Sequence, residues 1–238
     1  MRAAAIIQAR MGSTRLPGKV LMPLAGRPMV AHVLQRAASI RGVGEVILAT
    51  STNPEDDALA QWAAAQGWTC HRGSAEDVLA RFHGAAGRTA ADAILRITAD
   101  CPMLCPEVSA RVLDRLAQGG SDYVSNVVRR TFPRGLDTEA FTRRALDIAA
   151  AEAVSARDRE HVTPFIWSQP QRFRIAGVED AIDRSRWRWT VDTPEDLDLA
   201  QRLHAALPAG FGYADLIQAM QANPDWERIN AAIAQKTL

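Results

Sequence analysis

The chain has 238 residues and carries 28 Lys and Arg against 27 Asp and Glu, so its formal net charge is +1. This balance gives no support to a protein that binds nucleic acid or a membrane surface through bulk positive charge, and we expect neither as a partner. Apolar residues make up 47% of the chain and charged residues 23%, which excludes wholesale disorder. The length suits one large α/β domain.

The chain carries no sign of a membrane-spanning or exported protein. No apolar run approaches the ~18 residues that a membrane-spanning helix needs. The first apolar stretch ends at Arg10 and is too short for the core of a signal peptide. Cys70, Cys101 and Cys105 are too few for a disulfide framework, and their spacing matches no usual zinc site. We therefore expect a soluble cytoplasmic protein with reduced thiols.

Apolar runs alternate with helical patterns, which predicts βα units around a mostly parallel sheet. In chain order we predict strand 3–9, helix 28–40, strand 45–50, helix 53–66, strand 69–71, helix 75–84, strand 93–98, helix 106–118 and strand 122–127. We then predict an extended segment at 136–141, two helices within 142–166, strands at 173–178 and 186–191, a helix from Pro194 to about Ala206, and two short closing helices.

Local signals mark some of these boundaries. Asn53 is a predicted N-cap, and Gly67 is the predicted stop of the same helix. The residues indicate a single nucleotide-binding-type α/β domain over 1–238, in which segment 128–185 departs from simple βα alternation. Such a segment is suited to be a substrate lid or a dimer arm.

The loop at 10–18 is the most informative stretch. It follows the first predicted strand and offers Arg10, Arg15 and Lys19 with backbone N–H groups, a set that suits a triphosphate at the carboxyl edge of a sheet. It is neither a P-loop nor a dinucleotide fingerprint, because the glycine spacing differs from both. A surface turn with solvated arginines is the alternative, but the position after the first strand, with no acid nearby, favours the phosphate site.

Two aspartates are candidate metal ligands. Asp100 and Asp192 each follow a predicted strand, and Mg²⁺ is commonly held by one or two carboxylates together with phosphate oxygens. The alternative is that Asp192 caps the following helix and that Asp100 fixes a turn. The residues alone leave both interpretations open.

The stretch Ala-Arg-Met-Gly-Ser-Thr-Arg-Leu-Pro-Gly-Lys at 9–19 resembles the signature loop of sugar-activating nucleotidyltransferases. It is most similar to the cytidylyltransferase branch, which includes CMP-acylneuraminate and CMP-Kdo synthetases, and within it the chain resembles proteins of spore coat polysaccharide biosynthesis. Supporting motifs lie at 72–81, 96–102, 122–126, 133–137, 159–164 and 189–197.

The resemblance implies a nucleotide-diphospho-sugar-transferase-like (Rossmann-like) domain that transfers CMP from CTP to an acceptor sugar and releases pyrophosphate. It implies Mg²⁺ as cofactor, surface polysaccharide biosynthesis as role, and a homodimer formed through a segment equivalent to 128–185. Arg10, Arg15, Lys19 and Asp100 are the implied catalytic residues. Asp100 and Asp192 are the implied metal ligands, with Glu195 or Asp196 as possible substitutes for the second.

The resemblance also implies binding residues. The predicted nucleotide contacts are Ala9, Arg10, Gly12, Ser13, Arg72, Gly73, Asp77 and Arg81. The predicted acceptor contacts in segment 128–185 are Arg134, Glu160 and His161. From the residues alone, a solvated i, i+4 helix pair is the favoured interpretation of Asp77 and Arg81, and a lone His161 is more often structural.

Two other functions remain open from the sequence. A glycosyltransferase of related architecture would consume a nucleotide sugar and would usually carry an Asp-x-Asp motif, which Thr98-Ala99-Asp100 is not. A non-catalytic nucleotide-sensing module would have kept only the fold, and the presence of both metal aspartates argues against it.

Overall fold

The computed structural model describes residues 1–234. Over these residues the strands are β1 (Ala3–Gln8), β2 (Pro23–Leu24), β3 (Arg27–Pro28), β4 (Val43–Ser51), β5 (Thr69–Gly73), β6 (Ala93–Thr98), β7 (Tyr123–Ser125), β8 (Glu139–Thr142) and β9 (Ile175–Gly177). The helices are α1 (Met29–Ala38), α2 (Asp57–Ala65), α3 (Val78–Ala86), α4 (Pro106–Ala117), α5 (Arg143–Glu152), α6 (Ala156–His161), α7 (Pro164–Trp167), α8 (Pro194–Ala206) and α9 (Tyr213–Ala222), with 3₁₀ helices at Lys19–Leu21, Pro54–Asp56 and Pro224–Arg228.

Within the described chain, seven strands form one sheet in the order β5-β4-β1-β6-β8-β7-β9. β1 is parallel to β4 and β6, β5 is parallel to β4, and β8 runs antiparallel to β6 and β7. β1 lies inside the sheet because its sequence, AAAIIQ, is apolar at all positions but the last, so both of its faces are buried. The predicted mostly parallel α/β sheet is confirmed.

Helices cover both faces of this sheet. Ala3, Ala5 and Ile7 of β1 pack in one core with α1, α2 and α4, whereas Ala4 and Ile6 pack in a second core with α3 and α5. This division follows from the alternation of side chains along a strand. Among the described helices, none combines the length and the hydrophobicity that crossing a membrane requires.

The strand predicted at 186–191 is wrong, because these residues do not join the sheet. Arg134 N donates to Trp187 O at 3.0 Å and Trp189 N donates to Arg134 O at 2.7 Å, and the pairing is an isolated bridge. The pairing ends after this bridge because Gly135, at φ +100°, turns the loop that carries Arg134 away. A side chain at position 135 would also collide with the Trp189 backbone, so the position requires glycine. Trp187 and Trp189 are buried in a third core with α8 and α9.

Other boundaries differ in smaller ways. Residues 142–166 hold three helices, α5 to α7, where two were predicted. The helix predicted from Asn53 begins as a 3₁₀ turn, and Asn53 makes no capping side-chain bond, although Gly67 ends that helix with φ +75° as predicted. The second closing helix is 3₁₀.

Two helix starts are set by side-chain caps. α3 begins at Val78, three residues later than predicted, because Asp77 accepts a hydrogen bond from the N–H of Ala80 at 2.9 Å. Thr193 caps α8, and Asp196 completes a capping box with it.

Candidate active site

The predicted nucleotide loop leaves the sheet where four parallel strands end. β1, β4, β5 and β6 run in one direction, so their carboxyl ends share one edge, which is where open α/β sheets bind ligands. The loop follows β1, Arg72 and Gly73 end β5, and Asp100 lies two residues beyond β6. The structure thus brings the loop and the first predicted metal aspartate to the same edge.

A buried carboxylate fastens the start of the loop. Asp56 is 0% exposed and accepts hydrogen bonds from the backbone N–H of Met11 at 2.6 Å and of Ser51 at 3.2 Å. The Ser51 hydroxyl donates to it as well. At the far end, Gly18 N donates to Met11 O at 3.0 Å, and the φ of Gly18, +71°, suits glycine. The loop is therefore anchored at both ends, with Arg15 between the anchors.

The ammonium of Lys19 joins the two predicted metal aspartates. Lys19 Nζ lies 3.0 Å from Asp100 Oδ2, 2.7 Å from Asp192 Oδ1 and 2.8 Å from the carbonyl oxygen of Val191. An ammonium has three N–H bonds, and these acceptors use all three. Burial disfavours the charged form of Lys19, but the Asp100 and Asp192 carboxylates outweigh burial and raise its pKa above the ordinary value.

Asp192 reaches this position without a preceding strand. The N–H of Val191 donates to the carbonyl oxygen of Asp100 at 2.8 Å, which sets the two aspartates side by side. Thr193, and not Asp192, caps α8. The alternative interpretation of Asp192 as a helix cap is therefore wrong.

Two arginines also contact Asp192. Arg15 and Arg188 each place a guanidinium nitrogen 2.8 Å from Asp192 Oδ2. Burial opposes ionisation of this carboxyl, but the neighbouring cations, Lys19 foremost, outweigh burial and lower its pKa. Asp192 is thus held as a carboxylate by three cations.

A buried network of hydrogen bonds and an ion pair holds Arg188 in place. Arg188 Nε lies 2.9 Å from Asp196 Oδ1, and the Asp196 side chain is 0% exposed. Asn230 donates to the same oxygen at 2.8 Å and to the Arg188 carbonyl at 2.9 Å. Asp196 therefore orients Arg188, while Glu195, the other suggested substitute ligand, is exposed.

Asp100 and Asp192 fit a divalent cation by their donor chemistry. One cation, the Lys19 ammonium, already joins both carboxylates. Among residues 1–234 no three or more His, Cys, Asp and Glu side chains gather into a metal-binding group. The protein would therefore supply two carboxylates, and phosphate oxygens and water would complete the shell, which is how Mg²⁺ is usually held at nucleotide sites.

A cavity of 530 Å³, here named the loop cavity, opens beside the nucleotide loop. Its lining includes Arg10, Ser51, Asp56, Asp77, Arg159 and Glu160. Arg10 and Asp77 were predicted to contact the nucleotide, whereas Glu160 was predicted to contact the acceptor. Because Arg159 pairs with Asp77 at 2.7 Å, helix α6 closes one side of this cavity.

The remaining predicted nucleotide residues lie in the loop and at the end of β5. Ala9 is buried, and Ser13 Oγ accepts the Leu16 N–H at 3.4 Å. A side chain at Gly12 would meet the Glu55 carboxylate, whose Oε1 would lie 2.7 Å from the added carbon.

Two arginines of the predicted nucleotide set form hydrogen bonds with other parts of the protein. Arg72 donates to the Ser51 carbonyl at 2.8 Å and pairs with Asp57 at 2.6 Å. Arg81 is 1% exposed, packs against Gly73 and donates to the Ser74 carbonyl. Among the described residues its Nε and Nη2 have no hydrogen-bond partner, and burial lowers its pKa to about 10.

Asp77 forms its salt bridge with Arg159 and none with Arg81 in residues 1–234, so the predicted i, i+4 salt bridge is absent.

A second cavity, of 550 Å³, lies over β6, β7 and β8 and is here named the β8 cavity. Its lining includes Thr98, Arg130, Arg134, Asp137, Glu139 and His161. Thr98 Oγ1 donates to Asp100 Oδ1 at 2.6 Å, so the cavity adjoins the first metal aspartate.

Most charges in the β8 cavity are paired. Arg130 forms a bidentate pair with Asp137 at 2.6 and 2.7 Å. Glu139 pairs with Arg96 and accepts from the Tyr123 hydroxyl at 2.6 Å and the Thr163 hydroxyl at 2.5 Å.

Arg134 is the exception among these charges. Within residues 1–234 its guanidinium forms no ion pair, and burial together with nearby Arg130 lowers its pKa. Burial also lowers the pKa of His161, which favours a neutral imidazole. The cavity therefore offers one uncompensated positive charge to a ligand.

The cytidylyltransferase family model matches residues 4–227 of the chain. The spore coat polysaccharide biosynthesis protein SpsF of Bacillus subtilis is 35% identical over 92% of this chain and 94% of that protein. The 3-deoxy-manno-octulosonate cytidylyltransferase of Anaeromyxobacter sp. (strain Fw109-5) is 31% identical over 87% of this chain and 98% of that protein. A solved cytidylyltransferase structure from Leptospira borgpetersenii is 31% identical with a TM-score of 0.90, and both chains are covered completely. The similarity thus extends along nearly the whole chain.

Proposed function

This chain belongs to the cytidylyltransferase family and is a nucleotidyltransferase, and from that premise we propose that it transfers the CMP group of CTP to a hydroxyl of an acceptor sugar. The observation that carries the proposal is the meeting of Asp100 and Asp192 at one ammonium, Lys19. Two carboxylates joined by a cation, beside a loop with two further arginines, form a site for a metal–triphosphate complex.

In this proposal Arg10, Arg15 and the backbone N–H groups of the loop bind the triphosphate and offset the charge that develops on pyrophosphate. When bound, Mg²⁺ supplies further positive charge to the phosphate oxygens, and Asp100 and Asp192 are the residues that would hold it. Lys19, predicted from the sequence to contact the triphosphate, is assigned instead to holding the carboxylates, because its three N–H bonds already have protein acceptors.

The acceptor hydroxyl oxygen attacks the α-phosphorus of CTP in line with the leaving group. A bond forms between that oxygen and phosphorus, while the bond from the α-phosphorus to the oxygen bridging to the β-phosphorus breaks. Pyrophosphate leaves with the electron pair, and the hydroxyl proton passes to solvent. Such a transfer requires mainly positioning and charge neutralisation from the protein.

The β8 cavity is the proposed acceptor site. It adjoins Asp100 through Thr98, and most of its lining comes from segment 128–185. The guanidinium of Arg134, which forms no ion pair within residues 1–234, supports an acceptor with an anionic group, and a carboxylated sugar agrees with the octulosonate named for one relative. The name of SpsF supports surface polysaccharide biosynthesis as the use of the product.

The substitution Asp100→Asn tests the metal assignment. It keeps the shape of the side chain and removes the negative charge, so pyrophosphate release should fall by at least about 10³-fold while the far-UV circular dichroism spectrum stays unchanged. Asp114→Asn, at an exposed pair with Arg41, is the matched control. Retained turnover in Asp100→Asn would contradict the assignment.

Product analysis separates the reaction from its alternatives. A nucleotidyltransferase releases pyrophosphate, a glycosyltransferase releases a nucleoside phosphate, and a nucleotide sensor releases neither.

We also propose a homodimer through segment 128–185, which light scattering after size-exclusion chromatography would detect as a doubled mass.

A further inference from the structure

We propose that Arg15 is an exchangeable cation, which neutralises Asp192 while nucleotide is absent and moves to the triphosphate when metal and nucleotide bind together. Metal and nucleotide then bind cooperatively, and Arg15 is the residue that couples them. The inference rests on the proposed function, because it takes CTP as the ligand of the loop.

Every carboxylate oxygen of the aspartate pair already has a donor. Asp100 Oδ1 accepts from Thr98 at 2.6 Å, and Asp100 Oδ2 lies 3.0 Å from Lys19. Asp192 Oδ1 lies 2.7 Å from Lys19, and Asp192 Oδ2 contacts Arg15 and Arg188 at 2.8 Å. Both lone pairs of Asp192 Oδ2 are thus occupied, so a metal ion that takes this oxygen must displace Arg15 or Arg188.

Arg15 is the donor that is displaced with the fewest broken contacts. The Lys19 side chain is 9% exposed and uses all three of its N–H bonds. The Arg188 side chain is 6% exposed and is fixed by buried Asp196. The Arg15 side chain is 28% exposed, and within residues 1–234 its one ion pair is the contact with Asp192.

The place of Arg15 in the chain gives it a second destination. It lies in the loop between the anchors at Met11 and Gly18, and this loop offers the backbone N–H groups proposed to bind phosphate. If Arg15 moves to a triphosphate without metal, Asp192 loses one of its three cations. If metal binds without triphosphate, it competes with Arg15. Each ligand therefore removes a cost that opposes the other, and linkage makes the effect reciprocal.

The test measures Mn²⁺ binding by electron paramagnetic resonance, with no acceptor and therefore no turnover. Arg15→Gln should bind Mn²⁺ alone about fivefold tighter than the wild-type chain, because one competing ion pair is gone. Arg41→Gln is the control, since it removes one guanidinium and its ion pair with Asp114 at an exposed position outside the loop. It should bind Mn²⁺ alone as the wild type does.

Calorimetry then gives the coupling. The dissociation constant of an α,β-methylene analogue of CTP is measured with Mn²⁺ and with EDTA, and the ratio of the two is the coupling factor. This factor should be about fivefold smaller in Arg15→Gln than in wild type. Metal binding to the free analogue is common to both proteins and cancels in the comparison.

Each outcome separates the inference from the proposed function. Equal Mn²⁺ affinities and equal coupling factors in wild type and Arg15→Gln, with analogue bound by both, overturn the exchange and leave the proposed function standing. No binding of the analogue to the wild-type chain overturns the proposed function and the exchange with it. Arg15→Lys, which keeps a cation, should restore both quantities toward wild type and excludes a folding defect at this position as their cause.

Discussion

The backbone N–H of Val191 donates a hydrogen bond to the carbonyl oxygen of Asp100 at 2.8 Å. This bond joins two segments that are remote in sequence and sets Asp192, the next residue, beside Asp100. The Val191 carbonyl in turn accepts from Lys19 at 2.8 Å, so the same peptide segment also fixes the ammonium between the carboxylates. The candidate metal site is thus assembled by backbone contacts and one lysine.

Lys19→Met should destabilise the protein by about 2–3 kcal/mol, because two neighbouring carboxylates lose the cation between them. Thermal unfolding in EDTA measures the loss. Millimolar Mg²⁺ should restore part of the stability in Lys19→Met, since a divalent cation can replace the ammonium, and should change the wild type less. Arg41→Met, at a side chain that is 75% exposed, is the control and should stay within about 0.5 kcal/mol of wild type. A Lys19→Met variant that unfolds at the wild-type temperature, with no change on addition of Mg²⁺, would contradict the role of Lys19 between the two carboxylates.

Asp56→Asn should loosen the start of the nucleotide loop. The amide keeps the shape of the side chain but loses charge-assisted hydrogen bonds to the Met11 and Ser51 N–H groups, so unfolding free energy should fall by about 2–3 kcal/mol. The KM for CTP should rise about tenfold, because the anchor positions the phosphate-binding residues. Asp198→Asn, at an exposed pair with Arg202, provides the comparison. Steady-state kinetics with unchanged KM for CTP would argue against the anchor.

Arg134→Gln should weaken acceptor binding and leave CTP binding unchanged. Loss of a charge-assisted hydrogen bond to an anionic group corresponds to about 10–100-fold in the KM for the acceptor. Arg129→Gln, on a side chain that is 77% exposed, should have no such effect. An equal rise of the KM for CTP in Arg134→Gln would mean that Arg134 does not distinguish the two substrates.

Much of the fold and of the nucleotide loop was predictable from the sequence. Strand 93–98 and helix α8 follow from periodicity and capping residues, and the loop follows from cations directly after the first strand. The alternation of apolar residues at 186–191 correctly indicates that these apolar side chains are buried, but it does not show whether the backbone pairs with another strand. The predicted strand there is wrong for that reason, because the structure has a single isolated bridge at these residues.

The supporting residues of the site could not be predicted, because their roles depend on contacts between distant parts of the chain. Asp56 meets Met11 across 45 positions, and Asn230 meets Asp196 across 34. No local pattern marks either residue. Asp137 and Arg159 lie within the recognised motifs at 133–137 and 159–164, which is the signal that could have pointed to them.

Stability should fall on mild acidification because of a histidine pair away from the site. His204 and His32 lie with ring centroids 4.5 Å apart, and burial, with His32 and Arg36 nearby, lowers the pKa of His204 to about 4. The folded state then binds fewer protons than the unfolded state between about pH 4 and pH 6.5, so this contribution is lost as pH falls through that window. The loss should reach about 1–2 kcal/mol at pH 5.

His204→Gln should flatten the pH dependence of unfolding free energy in that window. Urea titrations from pH 5 to pH 7 measure it, and His83→Gln, at an exposed side chain paired with Asp147, should keep the wild-type slope. A wild-type slope in His204→Gln would assign the acid sensitivity elsewhere.

Pyrophosphate release from each of the common nucleoside triphosphates, with Mg²⁺ and a panel of acid sugars and sugar phosphates, tests the central claim most directly. The account predicts release from CTP with a carboxylated sugar and little from ATP, GTP or UTP. Release from another nucleotide with none from CTP, or no release together with no binding of CTP, would contradict the assignment of this site to CMP transfer.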